Sequence, residues 1–422
     1  MTTKPAKIRK STKLIGSLDE MKAYDKSKGF PEFVDFDLSG SKKRALATLG
    51  NLRTMLSHEE IICRYNVISK RISHIIPNEI FSSENEEESA LACIFSKMKE
   101  YKMPVDGYKL YLTRIADENQ YNPVLQWIKH KPWDGKSRLQ EFYDTIESPE
   151  KEAKELLIRR WLITAVCMAR DDGVDSAGCL VLQGAQDLGK TWWVKSLVPE
   201  EIRRDLIRTD ASVDPKDKDS VSQIISYWIV ELGEIDATFR RSDISALKSF
   251  ITRDHDTMRR PYGEGDKRYP RRTALIASVN PRIYLQDDTG NRRYWTIPCE
   301  KVNSYHKIDM QQLWAEVLTL IDKGESWRMT DEERAHVKRI NEDHIQMDPI
   351  EEAIIVNYNW ESAYSHEMKT CHEIAKDLGI NNPNKSQTIA IAKAIRKLHV
   401  AYKGTEKRKT STIYFSVPQK NL

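Results

Sequence analysis

No run in the 422-residue chain approaches the ~20 apolar residues of a membrane helix, and Lys4, Lys7, Arg9, Lys10 and Lys13 crowd its start with no apolar stretch behind them. A membrane or secreted protein is therefore not expected, and the chain reads as cytoplasmic. Cysteine is sparse: Cys63, Cys93, Cys167, Cys179, Cys299 and Cys371 are scattered without CxxC spacing, which suits reduced thiols and argues against a zinc or disulfide scaffold. With 17 Gly and 16 Pro, 40% hydrophobic and 31% charged residues, the composition is neither collagenous nor disordered. There is no internal repeat. Net charge is only +4, too small over this length to identify a partner.

The length exceeds one ordinary core, so several domains are expected. Residues 1–36 are Lys-rich and poor in periodic apolar positions, and read as a basic tail or arm. From 37 to 145, helical spacing dominates (Ala45, Leu46, Leu49, Leu52, Leu56; Leu91, Ile94, Phe95, Met98), predicting a helical N-terminal domain. The acidic run Ser82 to Glu88 predicts a helix start capped by Ser83. The pattern breaks at Lys131-Pro132-Trp133-Asp134-Gly135, and a long helix follows through Leu156, Trp161 and Met168. Over 146–345, short apolar runs (Gly178 to Leu182, Tyr227 to Leu232, Thr273 to Val279, Tyr294 to Ile297) alternate with helical segments, predicting an α/β domain with a mostly parallel sheet.

Gly184-Ala185-Gln186-Asp187-Leu188-Gly189-Lys190-Thr191 satisfies the G-x-x-x-x-G-K-[ST] pattern of a phosphate-binding loop. An apolar strand precedes it and a helix beginning Trp192-Trp193-Val194 follows, so amide N–H groups would face an anion. Lys190 is expected to contact the β- and γ-phosphates of ATP and the Thr191 hydroxyl to ligate Mg²⁺. Asp187 departs from the small or neutral residue usual there, and must point away from the phosphates for tight binding.

An ATPase also needs carboxylates at a neighbouring strand end. In Val230-Glu231-Leu232-Gly233-Glu234-Ile235-Asp236, Glu231 directly follows the strand and is assigned to Mg²⁺, with Glu234 activating water; exchanged roles, or a part for Asp236, are the alternatives. Asn280, ending the run Thr273 to Val279, is placed to hydrogen-bond the γ-phosphate or attacking water; as Asn-Pro it also suits a turn. Arg292 and Arg293, just before a strand, offer the planar donors of an arginine finger.

In this order, Glu231-Leu232-Gly233-Glu234, Leu247-Lys248-Ser249-Phe250, Arg259-Arg260-Pro261-Tyr262-Gly263, Ala277-Ser278-Val279-Asn280 and Gly290-Asn291-Arg292-Arg293-Tyr294-Trp295 resemble the virulence-associated protein E family of phages and mobile genetic islands, itself similar to superfamily 3 and D5/P4-type helicases. The likeness runs from Asn51-Leu52-Arg53 through Arg64-Tyr65-Asn66 and Trp133-Asp134-Gly135 to about Ile297, with Asn122-Pro123 where the family often has His-Pro. It implies an AAA+-like core in a ring, hexameric by family habit, with ATP between subunits. Lys190 and Thr191 then carry over as loop ligands, Glu231 and Glu234 as the acidic motif, Asn280 as sensor, and Arg292 or Arg293 as a finger acting on a neighbour. Arg259 to Arg272 is similar in position to a pore hairpin, whose Lys267, Arg268 and Tyr269 suit backbone charge and base stacking of single-stranded DNA.

From Met368 to Leu422 there are eleven Lys or Arg against three acids, which favours a phosphate-bearing partner. Cys371 to Ile380, a Gly379 turn and a second helix Ser386 to Leu398 fit a helix-turn-helix; Val400 to Tyr402 and Ser411 to Val417 around a basic turn add a hairpin, predicting a winged helix within 346–422. Lys393, Arg396 and Lys397 on the helix and Lys407, Arg408 and Lys409 at the wing tip are expected to meet duplex or origin phosphates. His58-Glu59 and His372-Glu373 lack the second His of a metalloprotease. The sequence thus reads as an ATP-dependent DNA helicase or replication initiator of a phage or mobile element in a bacterial cytoplasm, with priming expected from a separate primase. The alternative is an ATP-gated DNA-binding regulator that does not unwind processively.

Overall fold

The computed structural model describes residues 29–38, 44–233, 241–258, 266–285, 291–344, 348–360 and 366–420. The chain divides into two compact units, Met1–Arg282 with Gly290–Asp343, and Ile283–Thr289 with His344–Leu422.

In the first unit, α1 (Leu49–His58) is capped by Thr48, whose side chain accepts from the Asn51 amide. Strands β1 (Ile62–Asn66) and β2 (Arg71–Ile75) form an antiparallel pair. Helices α2 (Glu86–Glu100) and α3 (Tyr108–Glu118) follow, and β3 (Gln120–Tyr121) pairs parallel with β1. Leu52, Met55, Ile94, Met98, Leu112 and Ala116 make a shared core. The expected helical domain is therefore corrected: its helices pack with a three-stranded sheet in the order β2-β1-β3. The cap of α2 is corrected too, since Asn85 rather than Ser83 stands at its N-cap, while Glu86, Glu87 and Glu88 fill the first turn as the helix dipole favours. Asn122-Pro123 opens a short helix α4 (Pro123–Ile128): the Asn122 side chain accepts from the Leu125 amide and its Nδ2 donates to the Ala169 carbonyl at 2.6 Å.

Helix α5 (Lys151–Arg170) is buried on nearly every face in its second half, because it lies against the central sheet. That sheet comprises β4 (Cys179–Gln183), β5 (Ile207–Ala211), β6 (Ile229–Leu232), β9 (Ala274–Val279) and β10 (Tyr294–Pro298); between β6 and β9 the chain forms the antiparallel hairpin β7 (His255–Met258) and β8 (Lys267–Pro270). The sheet order is β10-β4-β9-β6-β5, and every pairing in it is parallel. Its inner strands are continuous apolar runs, as a sheet covered on both faces requires. Helix α6 (Lys190–Ser196) leaves the end of β4, and α7 (Met310–Asp322) packs against α5. Buried tryptophans lock these layers. Indole N–H groups of Trp161, Trp228, Trp193 and Trp314 donate to the Leu275 carbonyl, the Ala165 carbonyl, the Thr145 hydroxyl and the Leu197 carbonyl at 2.7 to 2.9 Å, so these four rings bury large apolar area with their own donors met.

The second unit contains β11 (Glu367–Thr370), α8 (Cys371–Asp377), α9 (Lys385–Tyr402), β12 (Glu406–Lys409) and β13 (Thr412–Val417), with an antiparallel sheet in the order β11-β13-β12. Capping boxes start both helices, Thr370 with Glu373 and Asn384 with Gln387. Ile374, Ile391, Ile395, Phe415 and Val417 form its core. Two boundaries differ from expectation. Val400 to Tyr402 continue α9 instead of starting a strand, because the Tyr402 ring packs on Trp360 with centroids 5.6 Å apart, one turn beyond buried Leu398. Lys407, Arg408 and Lys409 consequently lie along strand β12, where Lys409 pairs with Thr412 beside the turn.

No helix of the described residues is long and apolar enough to cross a membrane.

Candidate functional site

Parallel strands bring their C-terminal ends to one edge, and the polar residues meet there. Gln183 at the end of β4 lies level with Val279 on one side and Pro298 on the other. The loop that follows is tightly held: the Gly184 amide donates to the Val279 carbonyl at 3.1 Å and the Cys299 amide to the Gln183 carbonyl at 2.6 Å. A Cβ on Gly184 would sit 2.5 Å from the Cys299 carbonyl oxygen and 2.8 Å from Leu188 Cδ1, so only glycine fits. Gly189 has φ +86°, a left-handed turn that sends the chain into α6. Ala185, Gln186 and Asp187 are exposed at the loop's crown, and Asp187 takes a left-handed φ of 63°.

Lys190 is buried, and its Nζ donates to the Gly184 carbonyl at 2.7 Å, the Ala185 carbonyl at 2.8 Å and Asn280 Oδ1 at 3.0 Å. Burial pulls its ammonium below the ordinary lysine range, opposed by the nearby Cys299, Glu231 and Asp187. The Thr191 hydroxyl donates to Glu231 Oε1 at 2.8 Å, and the Ser278 hydroxyl reaches the same oxygen at 2.5 Å. Glu231 is fully buried on β6, and its Oε2 has no hydrogen-bond partner. Burial pushes this carboxyl above the ordinary glutamate range, against the two hydroxyl hydrogen bonds that favour its charged form. Such a half-satisfied buried carboxylate beside a hydroxyl is a fitting donor set for a hard divalent cation, which would meet Oε2 and remove the penalty of the bare charge.

The structure thus brings Lys190, Thr191, Glu231 and Asn280 together. Ser278 joins the cluster without any role expected from the sequence, where its one signal is a hydroxyl near the end of an otherwise apolar strand. Glu234 and Asp236 lie outside the described residues. Arg292 and Arg293 are not part of this cluster. They occupy a short 3-10 turn just before β10, whose Tyr294 is level with Cys179 at the start of β4. Five strand residues at about 3.3 Å each set them roughly 16 Å from the loop of their own chain. Arg292 is exposed, whereas Nε of Arg293 is buried without a hydrogen-bond partner.

In the β7–β8 hairpin, Lys267 and Arg268 are exposed. Tyr269 is 7% exposed, which corrects its expected base-stacking role: its ring is packed inside and offers no face to a base. The hairpin base is clamped by the fully buried pair Arg271 and Asp256, where Arg271 Nε donates at 2.7 Å. The tip, 259–265, lies outside the described residues. In the second unit Lys393, Arg396 and Lys397 are exposed on α9, with Arg396 paired to Glu406 at 2.9 Å and Lys397 to Glu351 at 2.7 Å. All four residues of β12 are exposed, including Lys407, Arg408 and Lys409.

Residues 128–346, just over half of the chain, match the virulence-associated protein E-like domain. No curated protein matches the chain. Among solved structures, it is similar to the apo structure of the NrS-1 C terminal region, at 15% identity and a TM-score of 0.44 over 87% of this chain and 98% of that one. It is also similar to the A form apo structure of the same region, at 13% identity and a TM-score of 0.46 with the same coverage.

Proposed function

The chain belongs to the virulence-associated protein E-like family, and from that premise we propose that it is an ATP-hydrolysing, ring-forming DNA helicase and replication initiator of a phage or mobile genetic element. The observation that carries this reading is the cluster at the sheet edge: a glycine-bounded loop, the Lys190 ammonium on its carbonyls, and the Thr191 hydroxyl on Glu231.

In this reading the Lys190 Nζ exchanges its carbonyl partners for phosphate oxygens of ATP, while amides from Gly184 to Thr191 cradle the chain of phosphates. Thr191 and Glu231 would hold Mg²⁺, which would supply positive charge to offset that of the phosphates. Asn280, whose Oδ1 accepts from Lys190 Nζ at 3.0 Å, is proposed as the sensor of the terminal phosphate. Glu234 remains the proposed water-activating base.

The remote position of Arg292 and Arg293 supports a finger acting on a neighbouring copy, because neither reaches the loop of its own chain. Arg292, exposed, is the better placed of the two. A finger that works in trans makes a head-to-tail interface, which closes into a ring or grows into a filament. A closed ring, hexameric as the resemblance implies, puts ATP between subunits and the Lys267–Arg268 hairpin toward the DNA strand. The helix, turn, helix and hairpin of the second unit is proposed as a winged helix gripping duplex backbone through Lys393, Arg396 and Lys397 on α9 and the exposed β12 strand.

Strand displacement on forked DNA tests the proposal. ATP-dependent release of the displaced strand is expected, absent with Lys190→Ala. Tight ATP-dependent duplex binding with no displacement at any protein concentration would replace the helicase with the ATP-gated regulator.

A further inference from the structure

Two adjacent tryptophans leave the phosphate loop in opposite directions. Trp193 is fully buried and stacks on Phe142 with centroids 5.1 Å apart, so it belongs to the core. Trp192, immediately after Thr191, is 52% exposed and lies near-parallel to Tyr305, which is 78% exposed, with ring centroids 6.5 Å apart and planes 28° from parallel. Lys195 lies 4.7 Å from the Trp192 ring centroid.

A single exposed aromatic needs no explanation. This pair is different because the chain on both sides of Tyr305 is pinned to the loop and its helix. The Ser304 hydroxyl stands 3.2 Å from where a Cβ on Gly189 would be, and His306 Nε2 is hydrogen-bonded to the Ser196 hydroxyl at 2.8 Å. The segment before it is held by the Asn303 amide donating to the Thr145 carbonyl at 2.7 Å and the Glu300 amide to the Glu147 carbonyl at 2.9 Å. Tyr305 is therefore a fixed, open ring beside α6, one residue from a contact with the phosphate loop.

The geometry points to Trp192 and Tyr305 as the platform on which the base of the bound nucleotide stacks, an inference that rests on the phosphate-loop reading above and extends it to the base. Trp192 follows the last loop ligand directly, so its ring lies within one side-chain length of the phosphate end, where ribose and base must emerge. Both rings are apolar faces open to water, and a purine is the flat, polarisable partner that would cover them. Stacking is tolerant of base identity because every base has a π-face, so the platform recognises a nucleoside triphosphate over bare phosphate without strict choice among bases.

The test compares the binding of MgATP and of magnesium tripolyphosphate, by competition against a fluorescent ATP, across variants of the full chain. Wild-type protein is expected to bind ATP about 5- to 150-fold more tightly than tripolyphosphate, the range that stacking one base on an aromatic supplies. Tyr305→Ala and Trp192→Ala should each lose a large part of that preference while binding tripolyphosphate as wild type does, and Tyr305→Phe should keep it. Tyr305→Leu, which retains bulk without a π-face, guards against a folding artefact and should behave like the alanine variant. Unchanged ATP affinity in the alanine variants overturns the proposal, as does equal weakening of both ligands. Weakened oligonucleotide binding with unchanged ATP affinity overturns it in favour of a nucleic-acid contact. If wild-type protein binds neither ligand, the phosphate-loop reading fails and this inference with it.

Discussion

Where the central strands finish, Lys190, Thr191, Ser278, Asn280 and Glu231 are tied by hydrogen bonds of 2.5 to 3.0 Å; where they begin, Arg292 stands exposed and Arg293 keeps a buried Nε without a partner. One edge is a cluster already assembled within the chain. The other carries two arginines, with no ion pair to either among the described residues. On the proposed function, the contrast puts the two halves of a phosphoryl-transfer site in one chain but about 16 Å of strand apart, so that they cannot meet within it. A second copy is the simplest way to unite them.

The largest expected effect lies at the assembled edge. Lys190→Ala should remove ATPase activity entirely while circular dichroism and melting stay close to wild type, because the strand and helix around it are packed by residues such as Leu180 and Trp193. Wild-type turnover by this variant would break the comparison outright. Next, Arg292→Ala should lower turnover by about 10³-fold or more while ATP affinity holds, as removal of a guanidinium from the transition state does. Arg293→Ala should cost less turnover and more stability, its Nε being buried; the reverse ranking would transfer the finger to Arg293.

Glu231 gives the assembled edge a pH dependence. Its carboxyl is held above the ordinary value of 4.5 by burial, so the fold prefers it protonated. The metal-free protein therefore loses stability as pH rises from about the ordinary value through the raised one. Glu231→Gln removes that loss. Without metal it should melt at or above the wild-type temperature at pH 8, and the difference should shrink toward pH 5, while Mg²⁺-dependent stabilisation disappears. Wild-type metal affinity should fall as pH drops through the same window, because only the carboxylate binds metal. A Glu231→Gln protein that keeps full Mg²⁺ stabilisation would contradict the assignment.

The smallest effect is on DNA grip. Replacing Lys407, Arg408 and Lys409 with Ala should leave ATPase unchanged and lower the slope of log affinity against log salt by up to about 2.7, taking ~0.9 per phosphate contact. An unchanged slope would assign the exposed β12 strand another partner.

The assembled edge was legible in the sequence because the glycine-bounded loop pattern follows one apolar run and Glu231 and Asn280 lie at or near the ends of two others, as covered parallel strands look; Glu231 itself lies within its strand rather than just after it. Strand β5 was missed for the opposite reason: it is the sheet's edge, and Arg208, Thr209 and Asp210 give it no apolar signature. The small sheet of the N-terminal region was hidden because Ile62–Asn66 and Arg71–Ile75 are brief and set between strongly helical stretches. Tyr269 and Trp192 illustrate a different limit. Both are aromatics next to polar motif residues, yet one is buried and the other open, and no local pattern distinguishes them because burial depends on which distant segment arrives to cover the ring. Similarly, the separation of Arg292 from Lys190 follows from β10 running parallel beside β4, a pairing between segments more than a hundred residues apart.

The proposal of a site shared between copies is tested most directly by mixing two dead proteins. Lys190→Ala lacks the loop cation and Arg292→Ala lacks the finger; combined under conditions where subunits exchange, some interfaces would join an intact loop to an intact arginine. ATPase activity well above either variant alone, rising and falling with the mixing ratio, is the expected result. If mixed assemblies form, as tagged subunits would reveal, and activity stays at the sum of the two parents, the site is not shared between copies and the account is wrong.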